Sequence, residues 1–358
     1  MPTPLAANID GTAGMRCRGF GIVELMVAMT LSLVLLGGVV ALFASARKSY
    51  ESNEHLARIQ ENGRFALDQI TRDIRAAGYT GCAKDTPFAS TLVTTTNPLV
   101  WDFRFPAYGF QSTGTAWLPA LDATLAPSAA AVNSDVLVLR TPDPDLRVRR
   151  TTTLMATPSA DLVVTPAAPA LAPGDSALIT DCTSMSVFEV TSDSAGVVKH
   201  AGTTKQSAIN GGLISAGNLS ASLGYAFREG SMVLRMQSVV YYVRQSGIAA
   251  NGNSLWRRRA RDAPEEMVEG VDSLQVVYGV DTNADRVVDA YKTAAAIAAG
   301  DWGGVVSIRI GLLLRSVEQY GKSPDVEHKV IGQTILAAAD NRERLTLATT
   351  VALRNAAL

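Results

Sequence analysis

Arg18-Gly19-Phe20-Gly21-Ile22-Val23-Glu24-Leu25 opens an apolar run that continues to about Ala46, and the only charge within that run is the carboxylate of Glu24. An acidic side chain at bilayer depth costs on the order of 2.5–3.5 kcal/mol even on lenient insertion scales, so the segment asks for a cation. A secretory signal would place a shorter apolar core of roughly 7–15 residues before a small-residue cleavage site. Here the run is longer, and no clear A-x-A site precedes Arg47. A plain membrane anchor needs about 20 apolar residues, which the segment provides, but that reading explains neither Glu24 nor Gly-Phe after Arg. Residues 1–14 carry no basic side chain, whereas Met15-Arg16-Cys17-Arg18-Gly19 is compact and basic, which makes Met15 a candidate start.

Beyond the run, Leu56, Ile59, Gly63, Ala66, Ile70, Ile74 and Ala77 recur at spacings of three and four. Arg58, Glu61, Arg64, Asp68, Arg72, Asp73 and Arg75 fall on other faces, the pattern of an amphipathic helix. Gly78 suits a C-terminal cap, so the predicted helix runs from about Phe20 to Ala77, with a weak point at Gly37-Gly38. From Thr86 the texture changes to short β-branched runs between turn formers. Strands are predicted at Asp135–Arg140, Asp161–Thr165, Ala177–Thr180, Val187–Thr191, Met232–Arg244, Ser273–Val280 and Val305–Ser316, with a turn at Gly247–Gly252. Gln111–Asn133 and Thr165–Gly174 lack periodicity and are predicted as loops.

A chain of 358 residues that is 47% hydrophobic can bury a sizeable core. Its formal net charge of −1 leaves the whole molecule no electrostatic footprint for nucleic acid or acidic membranes. The class expected is α+β: a long N-terminal helix, apolar and then amphipathic, packed on a predominantly antiparallel β head.

Basic Arg16 and Arg18, then Gly19, an aromatic and an acid five residues on resemble the processing signal of type IV pilins and type II secretion pseudopilins. The resemblance implies cleavage by a prepilin peptidase between Gly19 and Phe20, N-methylation of Phe20, and Glu24 as the fifth mature residue. Glu24 would then meet the terminal amine of a neighbouring Phe20 during assembly, which supplies the cation its burial demands. The implied divisions are a leader at 1–19, a membrane or filament-core half-helix at 20–46, an amphipathic half at 47–78 and a periplasmic β-rich head at 79–358. With Cys17 in the leader, Cys82 and Cys182 remain on the oxidising side of the membrane, either as a disulfide or as two buried thiols. Many major pilins carry a proline in the apolar half where this chain has its glycine pair.

Gln60-Glu61-Asn62-Gly63-Arg64, Asp73-Ile74-Arg75-Ala76-Ala77-Gly78-Tyr79 with Cys82, Thr180-Asp181-Cys182, and Glu269-Gly270-Val271 to Tyr278-Gly279-Val280-Asp281 resemble the PilW family of minor pilins. That resemblance implies a low-abundance subunit that primes or caps pilus assembly with other minor pilins and the major pilin, first in the inner membrane and then at or near the fibre tip. The alternatives are a J-type pseudopilin of a type II secretion system, or a fibre-tip subunit that binds a surface ligand or DNA.

Asp281, Asn283, Asp285, the Val287 carbonyl and Asp289 alternate as calcium ligands do, but Arg286 and Lys292 depart from the EF-hand pattern. Two readings stay open: a calcium loop completed from elsewhere, or a solvated acidic turn. The run Trp256-Arg257-Arg258-Arg259-Ala260-Arg261 reads as a solvated strand end or a contact for acidic neighbours rather than a nucleic-acid surface, since it interleaves no stacking residue beyond Trp256. Trp101, Phe103 and Phe105 alternate as on one strand face, which predicts core. His55, His200 and His328 lie in unrelated contexts, with no nucleophile elbow or phosphate loop, so a non-enzyme is expected.

Overall fold

The computed structural model describes residues 21–83, 86–93, 101–121, 130–145, 147–203, 216–248, 252–259, 262–319 and 327–355. The leader with Cys17, the Gly19-Phe20 junction, Ala260 and Arg261, part of the expected 111–133 loop and part of the 247–252 turn lie outside those residues. The chain divides into two units, Met1–Glu54 and His55–Leu358.

One helix, α1, runs Ile22–Ala76 without a break at Gly37-Gly38. In the first unit its residues lie on the surface, save for the half-exposed Glu51 and Ser52. In the second unit one stripe turns inward: Ile59, Gly63, Ala66, Ile70 and Ile74 are buried at the spacing the sequence predicts. Ala77 is also buried, while Leu56 stays more than a third exposed. The helix stops at Gly78, whose φ of +73° is open to glycine at little cost. A Cβ there would fall 2.7 Å from the Pro106 ring, and the Gly78 N–H donates to the Arg140 carbonyl at 2.9 Å.

The second unit carries strands β1 (Phe88–Ser90), β2 (Ala107–Ser112), β3 (Trp117–Leu118), β4 (Val136–Pro142), β5 (Arg149–Thr151), β6 (Leu162–Thr165), β7 (Ser176–Thr180), β8 (Met185–Glu189), β9 (Ser192–Ser194) and β10 (Val197–Lys199). They are followed by β11 (Met232–Gln245), β12 (Asn253–Arg259), β13 (Glu265–Glu269), β14 (Val271–Val280), β15 (Ala290–Lys292), β16 (Val305–Arg315), β17 (Glu327–Val330), β18 (Gln333–Leu336) and β19 (Arg344–Ala352). The larger sheet runs β1-β8-β7-β11-β5-β6-β10-β9, with β4, β2 and β3 on one branch from β11 and β12 and β13 on another. A second sheet has the order β15-β14-β16-β19, and β17 pairs with β18 as a separate hairpin. Among the described strands only β1 and β8 pair in parallel, so the head is mostly antiparallel and the class is α+β.

Ile59, Ile70 and Ile74 of α1 share one core with Phe110, Leu137 and Tyr241 of the larger sheet and Leu274, Ile310 and Leu312 of the second. Every residue of β14 is buried, because it packs on both faces. The two sheets are pinned by polar atoms just before β4. Asp135 accepts the Ser112 N–H at 2.7 Å through one carboxylate oxygen and the Val276 N–H at 2.9 Å through the other. Its own N–H donates to the Leu274 carbonyl at 2.8 Å, and Ser134 Oγ accepts the Leu274 N–H at 2.9 Å. Burial pushes the Asp135 carboxyl up to about 7, against the pull of those two amide donors.

Each predicted strand exists, with ends moved by a residue or two. Three local readings change. Gln111–Asn133 is not all loop: Gln111 and Ser112 belong to β2, and Trp117–Leu118 closes a hairpin on it. That hairpin is anchored by the Trp117 indole N–H donating to the Ser134 carbonyl at 2.9 Å. Trp101 and Phe103 are core, as expected, but lie outside the described strands, so burial and not alternation accounts for them. The arginine run is no solvated end. Arg257 and Arg258 are buried in β12 between β11 and β13, and Trp256 lies under the Arg244 guanidinium at 3.8 Å.

Candidate functional site

The residues with a functional signature lie on α1 and on what the head presents to its second half. In the first unit, Ile22 is 81% exposed, Phe43 73% and Leu36 60%, with no apolar partner over them. This is the one described helix long and apolar enough to cross a membrane. An apolar surface of that extent marks contact with lipid or with other protein. Glu24 lies in its first turn, where unsatisfied backbone N–H groups and the helix dipole favour a negative charge. The dipole offers about half an elementary charge, so a carboxylate taken out of water there still needs a full cation.

In the second unit, polar clasps hold the end of α1. The Tyr241 hydroxyl on β11 donates to Asp73 at 2.7 Å, and Arg257 stands 4.0 Å from the same carboxylate while donating to Glu265 at 2.5 Å. Burial and then the Asp73 charge raise the Tyr241 phenol far above its ordinary range, so it stays a donor. From the other side, Asn355 Nδ2 donates to the carbonyls of Arg75 and Ala77 at 3.2 Å each, answering two of the carbonyls that a helix end leaves open. At Gly63 the helix comes close to the second sheet: Leu314 of β16 and Leu347 of β19 fill the space a side chain would take.

Cys82 and Cys182 form a disulfide, with Cα atoms 5.0 Å apart. It staples the turn after α1 to the connection between β7 and β8, where Cys182 adopts φ of +69° and donates its N–H to Thr180 Oγ1 at 3.1 Å. A loop of about 100 residues closed this way is worth on the order of 4–5 kcal/mol in the chain-entropy model.

The acidic loop folds on itself. Asp281 accepts the amides of Asn283, Ala284 and Arg286, Asp285 accepts that of Val287, and Asp289 accepts both the amide and the hydroxyl of Thr282. Ala284 and Arg286 take positive φ to complete these turns. Among the described residues no group of three or more His, Cys, Asp or Glu side chains is arranged to hold a metal ion. The Val287 side chain points to solvent, 61% exposed.

The sequence reading missed the Asp73–Tyr241–Arg257 clasp. Its only signal was an acid at position 73, beside the buried Ile70 and Ile74 stripe, where a charge needs a partner. It also missed the arginine and aspartate cluster of Asp272, Arg315, Asp340, Arg342 and Arg344, whose signal was alternating charge around 340–344.

The family of type IV pilus-assembly protein W matches residues 240–355, which take in the end of β11, the second sheet and the Asn355 clasp. The prokaryotic N-terminal methylation motif matches residues 14–40, across the basic stretch and the exposed apolar helix. These matches support a type IV pilus minor pilin of the PilW family. Comparisons with curated proteins and with solved structures found no match. A methylation motif on an apolar N-terminal helix fits a membrane-anchored pilin that later enters a pilus, and a type IV pilus context implies association with other pilins and with the prepilin peptidase. Pilins and the PilW family are structural and non-catalytic.

Proposed function

We propose that this pilin is a low-abundance subunit that primes or caps fibre assembly with other minor pilins and the major pilin. One observation carries the reading: α1 is apolar and uncovered from Ile22 to about Ala46, with Glu24 the one acid along it. In this account residues 1–19 are the leader, cleavage falls between Gly19 and Phe20, and Phe20 becomes the methylated terminus. Methylation keeps the amine positive, so it remains a partner for Glu24 of an adjoining helix. Residues 20–46 lie in the inner membrane and then in the fibre core, 47–78 carry the amphipathic half, and 79–358 form a head on the periplasmic side that ends at or near the tip. A buried carboxylate that loses its partner is strongly destabilising, by about 3–5 kcal/mol, so the pair selects for correct axial register between neighbouring helices. The pilus-assembly family match supports this reading over a secretion pseudopilin.

The test is Glu24→Ala in a host that assembles the pilus. Cleavage, followed by the mass of the mature chain, should proceed nearly as before, while co-purification with the other minor pilins and surface piliation should drop. Full piliation with undiminished co-purification would remove the amine partnership.

A further inference from the structure

The second sheet ends in β15 on one side and β19 on the other. β15 is 3 residues long, whereas β19 runs 9 residues, against a usual strand of about 5–6. The hydrogen-bond parity of β19 is fixed at both ends: the Leu353 N–H donates to the Val306 carbonyl and the Ser316 N–H to the Glu343 carbonyl, each at 2.9 Å. The register holds from Leu345 on Leu314 to Val351 on Ile308, so the backbone groups of Leu345, Leu347, Thr349 and Val351 serve β16. Those of Thr346, Ala348, Thr350 and Ala352 point the other way, out of the sheet edge. Among the described residues none of these outward N–H and C=O groups has a hydrogen-bond partner.

Edge strands usually carry a lysine, a proline or a bulge against stray pairing. From Leu345 to Ala352 the chain has no charge, proline or glycine, and its pairing with β16 shows no register shift, while that of β14 with β16 does. The β17–β18 hairpin packs over Gly311 and Leu313 of β16 and leaves Thr346, Ala348, Thr350 and Ala352 exposed. On the opposite face Leu345 and Leu347 are only half-buried, so α1 does not complete their cover. The direction of the edge selects what can pair with it. Gly63 of α1 faces Leu347, and the Ala77 carbonyl receives Asn355 from beyond the end of the strand, so β19 runs in the sense of α1. A strand that continues the antiparallel alternation runs against α1. A second copy pairing through its own β19 would have its α1 reversed, whereas subunits anchored by the same end in one membrane carry that helix in one sense. The occupant is therefore a strand that runs against the α1 of its own subunit, as β16 does here.

We propose that the outer edge of β19 receives an antiparallel strand from the head of a neighbouring minor pilin, an inference that rests on the assembly role proposed for this chain. Main-chain hydrogen bonds to Thr346, Ala348, Thr350 and Ala352 supply the affinity, and alternate side chains supply the selectivity. The side chains of the added strand that fall beside Leu345 and Leu347 are apolar, and those beside Thr346, Ala348 and Thr350 are small and uncharged.

The experiment is residue-resolved amide exchange of the full mature chain in detergent, alone and in complex with the other minor pilins of its host. In the chain alone the Thr346, Ala348, Thr350 and Ala352 amides should exchange at least about tenfold faster than those of Leu345, Leu347, Thr349 and Val351, and in the complex they should slow by at least about tenfold. Ala348→Pro deletes an outward N–H that β16 does not use, so the head should keep its fold while recovery of the complex falls at least about tenfold. Ala348→Ser, which keeps that N–H, should recover the complex as the parent does. Should the proline variant not fold, exchange in the parent still decides. A complex that forms with the outward amides still fast, or that folded Ala348→Pro leaves intact, would overturn the strand site and leave the assembly role standing. A parent chain that recovers no minor pilin would remove that role and the strand site with it. Protection of the same amides in the isolated chain as its concentration rises would make a second copy the occupant and overturn the partner named.

Discussion

Replacing Gly63 with alanine sets two opposed effects of known size against each other. In the interior of a helix the change is worth up to about 1 kcal/mol of stability, because alanine loses less backbone freedom on folding. At this position, however, the new methyl would fall 2.5 Å from Leu347 Cδ1 and closer still to Leu314 Cδ1. Carbon pairs prefer about 3.5–4.0 Å, so the methyl intrudes by at least about 1 Å on two side chains at once. Leu347 is half-exposed and has room to turn outward, but Leu314 is 1% exposed in a filled core. Overpacking of this kind costs about 1–3 kcal/mol, and where both effects are near mid-range the cost wins by about 1 kcal/mol. The assay is urea unfolding of the full mature chain in mild detergent, followed by tryptophan fluorescence. Gly63→Ala should lower the midpoint at unchanged slope, and adding Leu347→Ala should be less harmful than the sum of the two single changes, since the truncation opens the space the methyl needs. A stabilisation of about 1 kcal/mol in Gly63→Ala, as propensity alone demands, would show that α1 is not seated on β16 and β19 through Gly63.

Reducing the Cys82–Cys182 bond, or replacing Cys182 with serine, should lower stability by on the order of 4–5 kcal/mol in the chain-entropy model, read as a fall in melting temperature that a reductant reproduces in the parent and not in the variant. Asp135 gives a pH dependence of definite sign. Its folded carboxyl titrates at about 7 against an ordinary 3.8, so the unfolded chain ionises first. The stability this group contributes is full below about 4 and is lost as pH rises toward and through 7. Unfolding midpoints measured between pH 4 and 8 should therefore fall with rising pH, and Asp135→Asn should flatten that slope. The same slope in the variant would mean that another group titrates.

The helix and its end were legible because two local signals agreed, the three-and-four spacing from Ile59 to Ile74 and the glycine at 78. Strands such as Met232–Gln245 and Val305–Arg315 were legible for a similar reason, since long β-branched runs have few other places to go. What escaped was tertiary. Trp117–Leu118 pairs only because Ser134 offers a carbonyl across the sheet, and two residues carry no periodicity of their own. Arg257 and Arg258 read as surface charges because nothing near them in sequence announces that β12 is covered on both sides; the burial of Arg257 is bearable through Asp73, Tyr241 and Glu265, brought from other elements. The alternating acids of 281–289 have a spacing that serves calcium ligands and amides of a tight turn alike, and in the fold they accept such amides. The cluster around Arg315 was hidden because it draws on three strands and a loop far apart in the chain.

The central claim concerns the start of the mature chain, and mass spectrometry of the intact protein purified from a piliated host tests it most directly. The account predicts a polypeptide that begins at Phe20, one methyl group heavier than the bare sequence, and that reverts to the unprocessed mass when the prepilin peptidase is deleted. A mature chain that retains Gly19 and the residues before it, with a mass indifferent to the peptidase, would contradict it.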